Sequence, residues 1–157
     1  MMFDAIAEKE GRYRMAQAAG AHMPFPDTKE RKPALLIVED EFLIRMALSD
    51  YLQECGFKVF EARDAAEAIE VLRTENVIVD CVFTDVRMPG EMDGFALCAW
   101  IRKNYPGLLV ILTSGDMQKV ETARELCANE PFFSKPYDLE YVVAQIRNLL
   151  DKRRAKE

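Results

Sequence analysis

Hydrophobic and polar positions along this chain alternate between two periods, one typical of buried strands and one typical of amphipathic helices. Short apolar runs predict five strands, at Ala34–Val38, Phe57–Glu61, Asp80–Asp85, Leu108–Thr113 and Pro131–Ser134. Longer amphipathic runs predict five helices, over residues 41–54, 64–74, about 94–104, about 117–127 and 139–150. Regular alternation of strand and helix predicts a parallel sheet covered on both faces, which is an α/β fold.

Residues 1–33 depart from this alternation. They begin with a helix-compatible stretch and continue with a proline-rich stretch of alternating charges, which is typical of a linker. We therefore divide the chain into an N-terminal extension and linker over 1–33, a folded domain over 34–152 and a short basic tail over 153–157. Since only a few residues follow the last predicted helix, we expect no DNA-binding or enzymatic output domain after it.

Composition and charge restrict the classes of partner. Half of the 157 residues are apolar, which is enough for one proper core. The chain has 21 basic and 27 acidic side chains and a net charge of −6, so it lacks the basic surface expected of a protein that binds nucleic acid directly. We expect proteins or cations as partners.

The four cysteines and the apolar runs indicate the compartment. The cysteines are scattered, without a CxxC pair or a histidine cluster at metal spacing, so we expect reduced thiols. No apolar stretch approaches the roughly 18 residues that a membrane span requires. We expect a cytoplasmic protein without a membrane partner.

Polar side chains stand where four of the predicted strands end. Glu39 and Asp40 follow the first strand, Asp85 ends the third, Thr113 ends the fourth and Lys135 follows the fifth. In an open parallel sheet the carboxyl ends of the strands form the binding crevice, so we expect one site. Three carboxylates, one hydroxyl and one ammonium suit a hard divalent cation and a phosphoryl group.

The carboxylates give this site a specific chemistry. Crowded carboxylates repel one another and require a cation, and an oxygen-only ligand set favours Mg²⁺, or Mn²⁺, over zinc. An aspartate oxygen beside such a metal can attack phosphorus and form an acyl phosphate. Lys135 is the candidate ammonium to neutralise it, and the Thr113 hydroxyl can donate to a phosphoryl oxygen.

The segments LLIVEDE, VFTDVRMPGEMDG, VILTSGD and FFSKPYD, in this order, closely resemble the receiver domain of two-component response regulators. The resemblance covers residues 34–150. It implies a flavodoxin-like (βα)5 fold, a doubly wound parallel sheet with strand order 2-1-3-4-5.

The resemblance also implies roles for single residues. Asp85 is the expected phosphoacceptor, and Asp85, Lys135 and Thr113 together are expected to catalyse phosphoryl acceptance. Glu39, Asp40 and Asp85 are expected to bind Mg²⁺ with the backbone carbonyl of Arg87.

The switch residues come from the same resemblance. Thr113 and Lys135 are expected to contact the phosphoryl group. Phe132 is the aromatic residue whose side-chain rotamer is expected to report the switch. The Lys135–Pro136 bond is expected to be cis.

Several of these positions also have simpler interpretations. Asp85 could be a turn or helix-capping residue, and Glu39 and Asp40 could cap the following helix. Ser114 could take the role given to Thr113. Arg87 could pair with the phosphoryl group or obstruct the attacking water, so the phosphoryl lifetime stays open.

The functional prediction is a single-domain response regulator that accepts a phosphoryl group from a histidine kinase or histidine phosphotransfer protein. Its output is expected to be a changed surface over residues 116–150, formed by the fourth predicted helix, the fifth strand and the fifth predicted helix. Whether that surface binds a downstream protein or a second copy as a homodimer is open. Self-catalysed phosphoryl acceptance and slow autodephosphorylation are the only reactions expected, so the protein is not predicted to be an enzyme.

Three alternatives remain. The first is a phosphorelay intermediate or phosphate sink that passes the group to a histidine phosphotransfer partner. The second is a Mg²⁺-dependent aspartyl-phosphate hydrolase of the haloacid dehalogenase kind, although such enzymes have a second aspartate where this chain has Arg87. The third is a receiver that never takes phosphate.

Overall fold

The sheet of this protein has five parallel strands. The computed structural model describes residues 31–116, 118, 121, 125 and 131–156. The strands are Ala34–Val38 (β1), Lys58–Ala62 (β2), Cys81–Asp85 (β3), Leu109–Ser114 (β4) and Phe132–Ser134 (β5). Their spatial order is β2-β1-β3-β4-β5, and every neighbouring pair is parallel. The predicted flavodoxin-like fold with strand order 2-1-3-4-5 is confirmed.

Four helices lie among the described residues. They are Phe42–Glu54 (α1), Ala65–Arg73 (α2), Gly94–Asn104 (α3) and Leu139–Ala155 (α4). The helix predicted over 117–127 lies mostly outside the described residues, and so does the N-terminal extension predicted over 1–33. Within the described part of the chain, no helix is both long enough and apolar enough to cross a membrane.

Strand β2 begins at Lys58, one residue later than predicted, because the backbone of Phe57 belongs to the end of α1. The Phe57 amide donates to the Leu52 carbonyl at 3.1 Å, and the Gly56 amide donates to the Gln53 carbonyl at 3.0 Å. Gly56 has φ +95°, the left-handed conformation that ends many helices. The Phe57 amide is therefore bonded to α1 and is not available to pair with a neighbouring strand, although the apolar pattern assigned Phe57 to β2.

The last helix is longer than predicted and includes most of the segment predicted as a basic tail. It runs to Ala155, five residues past the predicted end. Its final turn carries Lys152, Arg153 and Arg154, and cations at a helix C-terminus are favoured by the helix dipole. Arg153 Nη1 also donates to the Asp80 carbonyl at 3.2 Å, which ties the turn to the start of β3.

Alternate residues of the central strands enter two separate cores. On one face, Leu36 and Val82 pack with buried side chains of α2 and α3. On the other face, Leu35 and Phe83 pack with buried side chains of α1 and α4. All five residues of β1 are buried, as expected for a parallel strand covered on both sides. The two cores hold the carboxyl edge of the sheet in place.

Helix α3 begins directly against the backbone of Asp85. The Gly94 amide donates to the Val86 carbonyl at 2.8 Å. A Cβ on Gly94 would overlap the Asp85 carbonyl oxygen and lie 2.7 Å from the Val86 Cα. Only glycine permits this approach, since backbone atoms cannot move aside as a flexible side chain can.

We expect Gly94→Ala to lower the free energy of unfolding by about 1–3 kcal/mol, because the added methyl group has to displace the β3–α3 turn. Chemical denaturation measures the difference. Gly115→Ala is the matched control, since a Cβ there would meet its nearest neighbour, the Lys135 Cβ, at 4.0 Å. Equal losses in the two variants would contradict the close packing of α3.

Candidate functional site

The ends of three strands bring four charged side chains together. Glu39 and Asp40 follow β1, Asp85 is the last residue of β3, and Lys135 follows β5. Because β1 and β3 are neighbours in the sheet, their terminal carboxylates lie side by side. The structure therefore brings together the acidic residues and the lysine that the sequence predicted at one site.

Lys135 forms ion pairs with two of the carboxylates. Its Nζ lies 2.9 Å from Asp85 Oδ2 and 3.1 Å from Glu39 Oε2. Burial lowers the pKa of the Lys135 ammonium, but the hydrogen bonds and charges of Asp85 and Glu39 outweigh burial and raise that pKa to about 12. The lysine is thus a fixed positive charge at neutral pH.

Glu39 is the most deeply buried acid of the group, with 5% of its surface exposed. Burial raises the pKa of its carboxyl group above the ordinary value, against the lowering effects of the Glu41 amide and of Lys135. The nearby Asp85 charge raises the pKa further. The ionised Glu39 side chain is therefore held at a free-energy cost, which a bound cation would relieve.

The three carboxylates can hold one metal ion. One oxygen atom of each of Glu39, Asp40 and Asp85 lies within 4.8 Å of the other two. Asp40 is exposed and Asp85 is partly exposed, so the cluster is open to solvent. An all-oxygen ligand set of this kind fits Mg²⁺, which keeps several of its waters when it binds to proteins.

The simpler interpretations of these acids are met only in part. Helix α1 has Glu41 at its N-cap position, without a side-chain capping bond, so neither Glu39 nor Asp40 caps the helix. Glu39 Oε1 does accept from the Glu41 amide at 3.2 Å. Asp85 Oδ1 accepts from the Arg87 amide at 3.3 Å, which is a turn contact. Both carboxylates keep a second oxygen for Lys135.

Thr113 stands beside Asp85 in the sheet register and is buried. Its hydroxyl donates to the Thr84 carbonyl at a long 3.5 Å. Ser114, also buried, accepts from the Asp116 amide at 3.1 Å. Thr113 is thus next to the acidic cluster, and its hydroxyl makes only a weak hydrogen bond. The Ser114 hydroxyl instead accepts a hydrogen bond from the loop that follows β4.

Phe132 lies farther from the charges. It is opposite Leu112 in the register of β4 and β5, is partly buried, and packs against the core that contains α2 and α3. The Lys135–Pro136 peptide bond that follows this strand is cis, as the resemblance implied.

Arg45 is a contact of the site that the sequence pattern did not reveal. Its Nη1 donates to the Glu39 carbonyl at 2.7 Å, and its Nε lies 3.8 Å from Glu61 Oε1. The arginine thereby fixes the backbone that carries Glu39. Arg45 lies near the start of α1, where the helix dipole disfavours a positive charge. A cation at such a position indicates that a specific partner compensates for the dipole.

Tyr137 is a second residue near the site that the sequence pattern did not reveal. Its ring meets Phe83 of β3 edge to face, with centroids 5.8 Å apart. Burial raises the pKa of its hydroxyl, Lys135 lowers it, and Glu39 and Asp85 raise it. A tyrosine two residues after the site lysine could have indicated this position.

Comparisons with known proteins agree with this geometry. Residues 35–147 match the family model of the response regulator receiver domain. The sensor kinase CckA of Brucella abortus is 36% identical over 121 residues, which cover 76% of this chain and 13% of the kinase. The chain spans about half of the transcriptional regulators that it also matches.

Solved structures of receiver domains superpose on most of the chain. The signal receiver domain of an HD domain-containing protein from Pseudomonas fluorescens has a TM-score of 0.71 at 28% identity, covering 80% of this chain and 99% of that domain. The response regulator TrrA from Thermotoga maritima, solved in complex with Mg²⁺ and BeF, has a TM-score of 0.66 at 26% identity. That match covers 74% of this chain and 98% of TrrA.

The raised pKa of Glu39 contributes to the pH dependence of stability without metal. Since its folded-state pKa lies above the ordinary 4.5, the ionised form opposes folding, and stability falls as pH rises from 4.5 through the raised value. In EDTA at pH 7, we expect Glu39→Gln to have a higher free energy of unfolding than the wild type. The difference should shrink as pH falls toward 4.5.

Denaturation curves at several pH values measure this difference. Glu41→Gln removes the same charge from an exposed neighbour and should keep the wild-type pH dependence. A Glu39→Gln variant that is less stable at every pH would show instead that the ion pair with Lys135 outweighs burial.

Proposed function

The chain belongs to the receiver-domain family of two-component response regulators, and we propose that it accepts a phosphoryl group on Asp85 in a Mg²⁺-dependent step. One observation supports this most directly. The Lys135 ammonium lies between the carboxylates of Asp85 and Glu39, at the carboxyl edge of the sheet. This arrangement places a nucleophile, the Asp85 carboxylate, in direct contact with a positive charge, the Lys135 ammonium.

Asp85 is the best placed of the three acids to be the acceptor. Glu39 is buried, whereas Asp40 is exposed and follows the end of β1. Asp85 is partly exposed, is held from one side by Lys135 and accepts the Arg87 amide on its other oxygen. Its carboxylate is thus oriented and still accessible to a donor.

In the proposed step, a carboxylate oxygen of Asp85 forms a bond to phosphorus while the bond from phosphorus to the donor's imidazole nitrogen breaks. The electron pair of the breaking bond stays on that nitrogen. Lys135 follows the charge from the carboxylate to a phosphoryl oxygen, and the weakly engaged Thr113 hydroxyl can donate to another.

Receiver domains bind Mg²⁺ through acidic residues. In this chain we assign Glu39, Asp40, Asp85 and the Arg87 carbonyl as its ligands, and Mn²⁺ suits the same oxygen set. The ion, when bound, neutralises negative charge that develops on the phosphoryl group. Glu39 and Asp40 orient it, and the bond from Arg45 to the Glu39 carbonyl fixes their backbone.

Receiver domains are signalling domains that receive phosphoryl groups from histidine kinases. We propose that this one acts as a single-domain regulator in the cytoplasm, with self-catalysed acceptance and slow autodephosphorylation as its only reactions. Its output would be a change in the surface formed by β5 and α4, with Phe132 as the reporter of phosphorylation. Rapid return of the group to a phosphotransfer protein would instead indicate a phosphorelay intermediate.

A docking surface for the phosphodonor can be assigned beside the site. Phe42, Leu43 and Met46 on the first turns of α1 are 61%, 64% and 42% exposed. The helix begins two residues after Asp40, so these side chains follow the acidic cluster directly in the chain. Exposed apolar side chains next to a reaction site are typical of protein docking.

We expect incubation with acetyl phosphate and Mg²⁺ to add the mass of one phosphoryl group to the intact protein. Asp85→Asn and EDTA should each abolish the gain, since one removes the nucleophile and the other the metal. Asp93→Asn is the matched control, because Asp93 caps α3 and asparagine caps equally well. Phosphorylation that persists in Asp85→Asn would assign the acceptor elsewhere.

Leu43→Ser should slow phosphoryl transfer from a phosphorylated histidine phosphotransfer domain by about tenfold, because a lost apolar anchor costs roughly 1–2 kcal/mol of docking free energy. The rate with acetyl phosphate should not change, since that donor needs no docking surface. Ile78→Ser, at another exposed apolar position, is the control. If both donors slow equally, α1 supports the site and does not dock the donor.

A further inference from the structure

Two side chains of opposite charge meet beside the acidic cluster, on neighbouring loops. Arg87 follows β3, and Asp116 follows β4. Arg87 Nη2 lies 3.9 Å from Asp116 Oδ2. The backbone amide of Arg87 contacts the Asp85 carboxylate at 3.3 Å, so the arginine starts directly beside the proposed acceptor.

The contact is weak on the arginine side. The Arg87 side chain is 77% exposed, and exposed ion pairs contribute little to stability. Asp116 is fixed independently: its amide donates to Ser114 Oγ at 3.1 Å, and its Oδ1 accepts from the Gln118 amide at 3.0 Å. Asp116 therefore stays in place whether or not Arg87 is paired with it.

A phosphoryl group on Asp85 would compete for this arginine. It carries about −1.5 to −2 charges and three acceptor oxygens. A guanidinium binds phosphate through two parallel hydrogen bonds, which are stronger than an exposed contact to one carboxylate oxygen. Arg87 has the long side chain and the exposed position to change partners.

We propose that Arg87 is a partner-exchanging residue, which pairs with Asp116 before phosphorylation and with the phosphoryl group afterwards. This inference rests on the proposed phosphorylation of Asp85. Bound to the phosphoryl group, Arg87 holds it and covers phosphorus from water. Asp116 opposes this by retaining the arginine in the resting state, so the pair sets how tightly the site holds phosphate.

A double-mutant cycle tests the exchange. The probe is beryllofluoride with Mg²⁺, and calorimetry gives its dissociation constant for the wild type, Arg87→Gln, Asp116→Asn and the double variant. Arg87→Gln should weaken binding about tenfold, through loss of a charge-assisted contact. Asp116→Asn should tighten it about two- to threefold, because the arginine is no longer held.

The double variant decides between exchange and simple repulsion. If Asp116 acts through Arg87, the double variant binds like Arg87→Gln alone. If Asp116→Asn tightens binding equally in both backgrounds, Asp116 acts by its own charge and the exchange is overturned. An unchanged affinity in Arg87→Gln would overturn it as well.

Controls separate this inference from the function on which it rests. Lys103→Gln and Asp50→Asn remove the same charges from exposed helix positions and should bind as the wild type does. If the wild type does not bind beryllofluoride with Mg²⁺, the proposed function fails and the exchange with it. If all variants bind equally well, only the exchange fails.

Discussion

The site depends on one ammonium group that reaches across the end of a strand. Lys135 follows β5, yet its partners Glu39 and Asp85 belong to β1 and β3, with β4 in between. The Lys135 amide donates to the Ser114 carbonyl at 2.9 Å, so the lysine backbone is fixed to the end of β4. From there only a long, flexible side chain can span the distance, which explains a lysine at this position.

The fold accommodates this unbalanced charge because its two cores hold the strand ends independently of the site. The strands alternate side chains between two helical layers, and Thr84, Val82 and Leu112 next to the acids are fully or almost fully buried. Repulsion among the carboxylates therefore cannot be relieved by spreading the strands. Burial is the main cause of the raised pKa of Glu39 and the Asp85 charge adds to it, so a bound cation would favour the ionised form of Glu39.

The sequence predicted the charged residues of the site because they stand at the carboxyl ends of apolar runs. The strand order was implied by the resemblance of four segments to receiver domains. The sequence misplaced the start of β2, since the Phe57 amide serves the end of α1. It missed the contact of Arg45 with the Glu39 carbonyl, which depends on how the start of α1 lies against the end of β1. It did not foresee the contact between Arg87 and Asp116, which depends on the orientation of two separate loops. Periodicity fixes which edge of the sheet a residue occupies, whereas side-chain partners require coordinates.

The charges of the proposed phosphorylated site explain why a second cationic side chain, besides Lys135, is useful there. Phosphorylation replaces the Asp85 carboxylate by a group of about −2, next to Glu39 and Asp40. Mg²⁺ and Lys135 together supply three of the roughly four positive charges needed for neutrality. The guanidinium of Arg87 could supply the fourth, and it is always protonated. Because Arg87 is paired with the partly exposed Asp116 until then, the site keeps this charge nearby without adding it to the resting cluster.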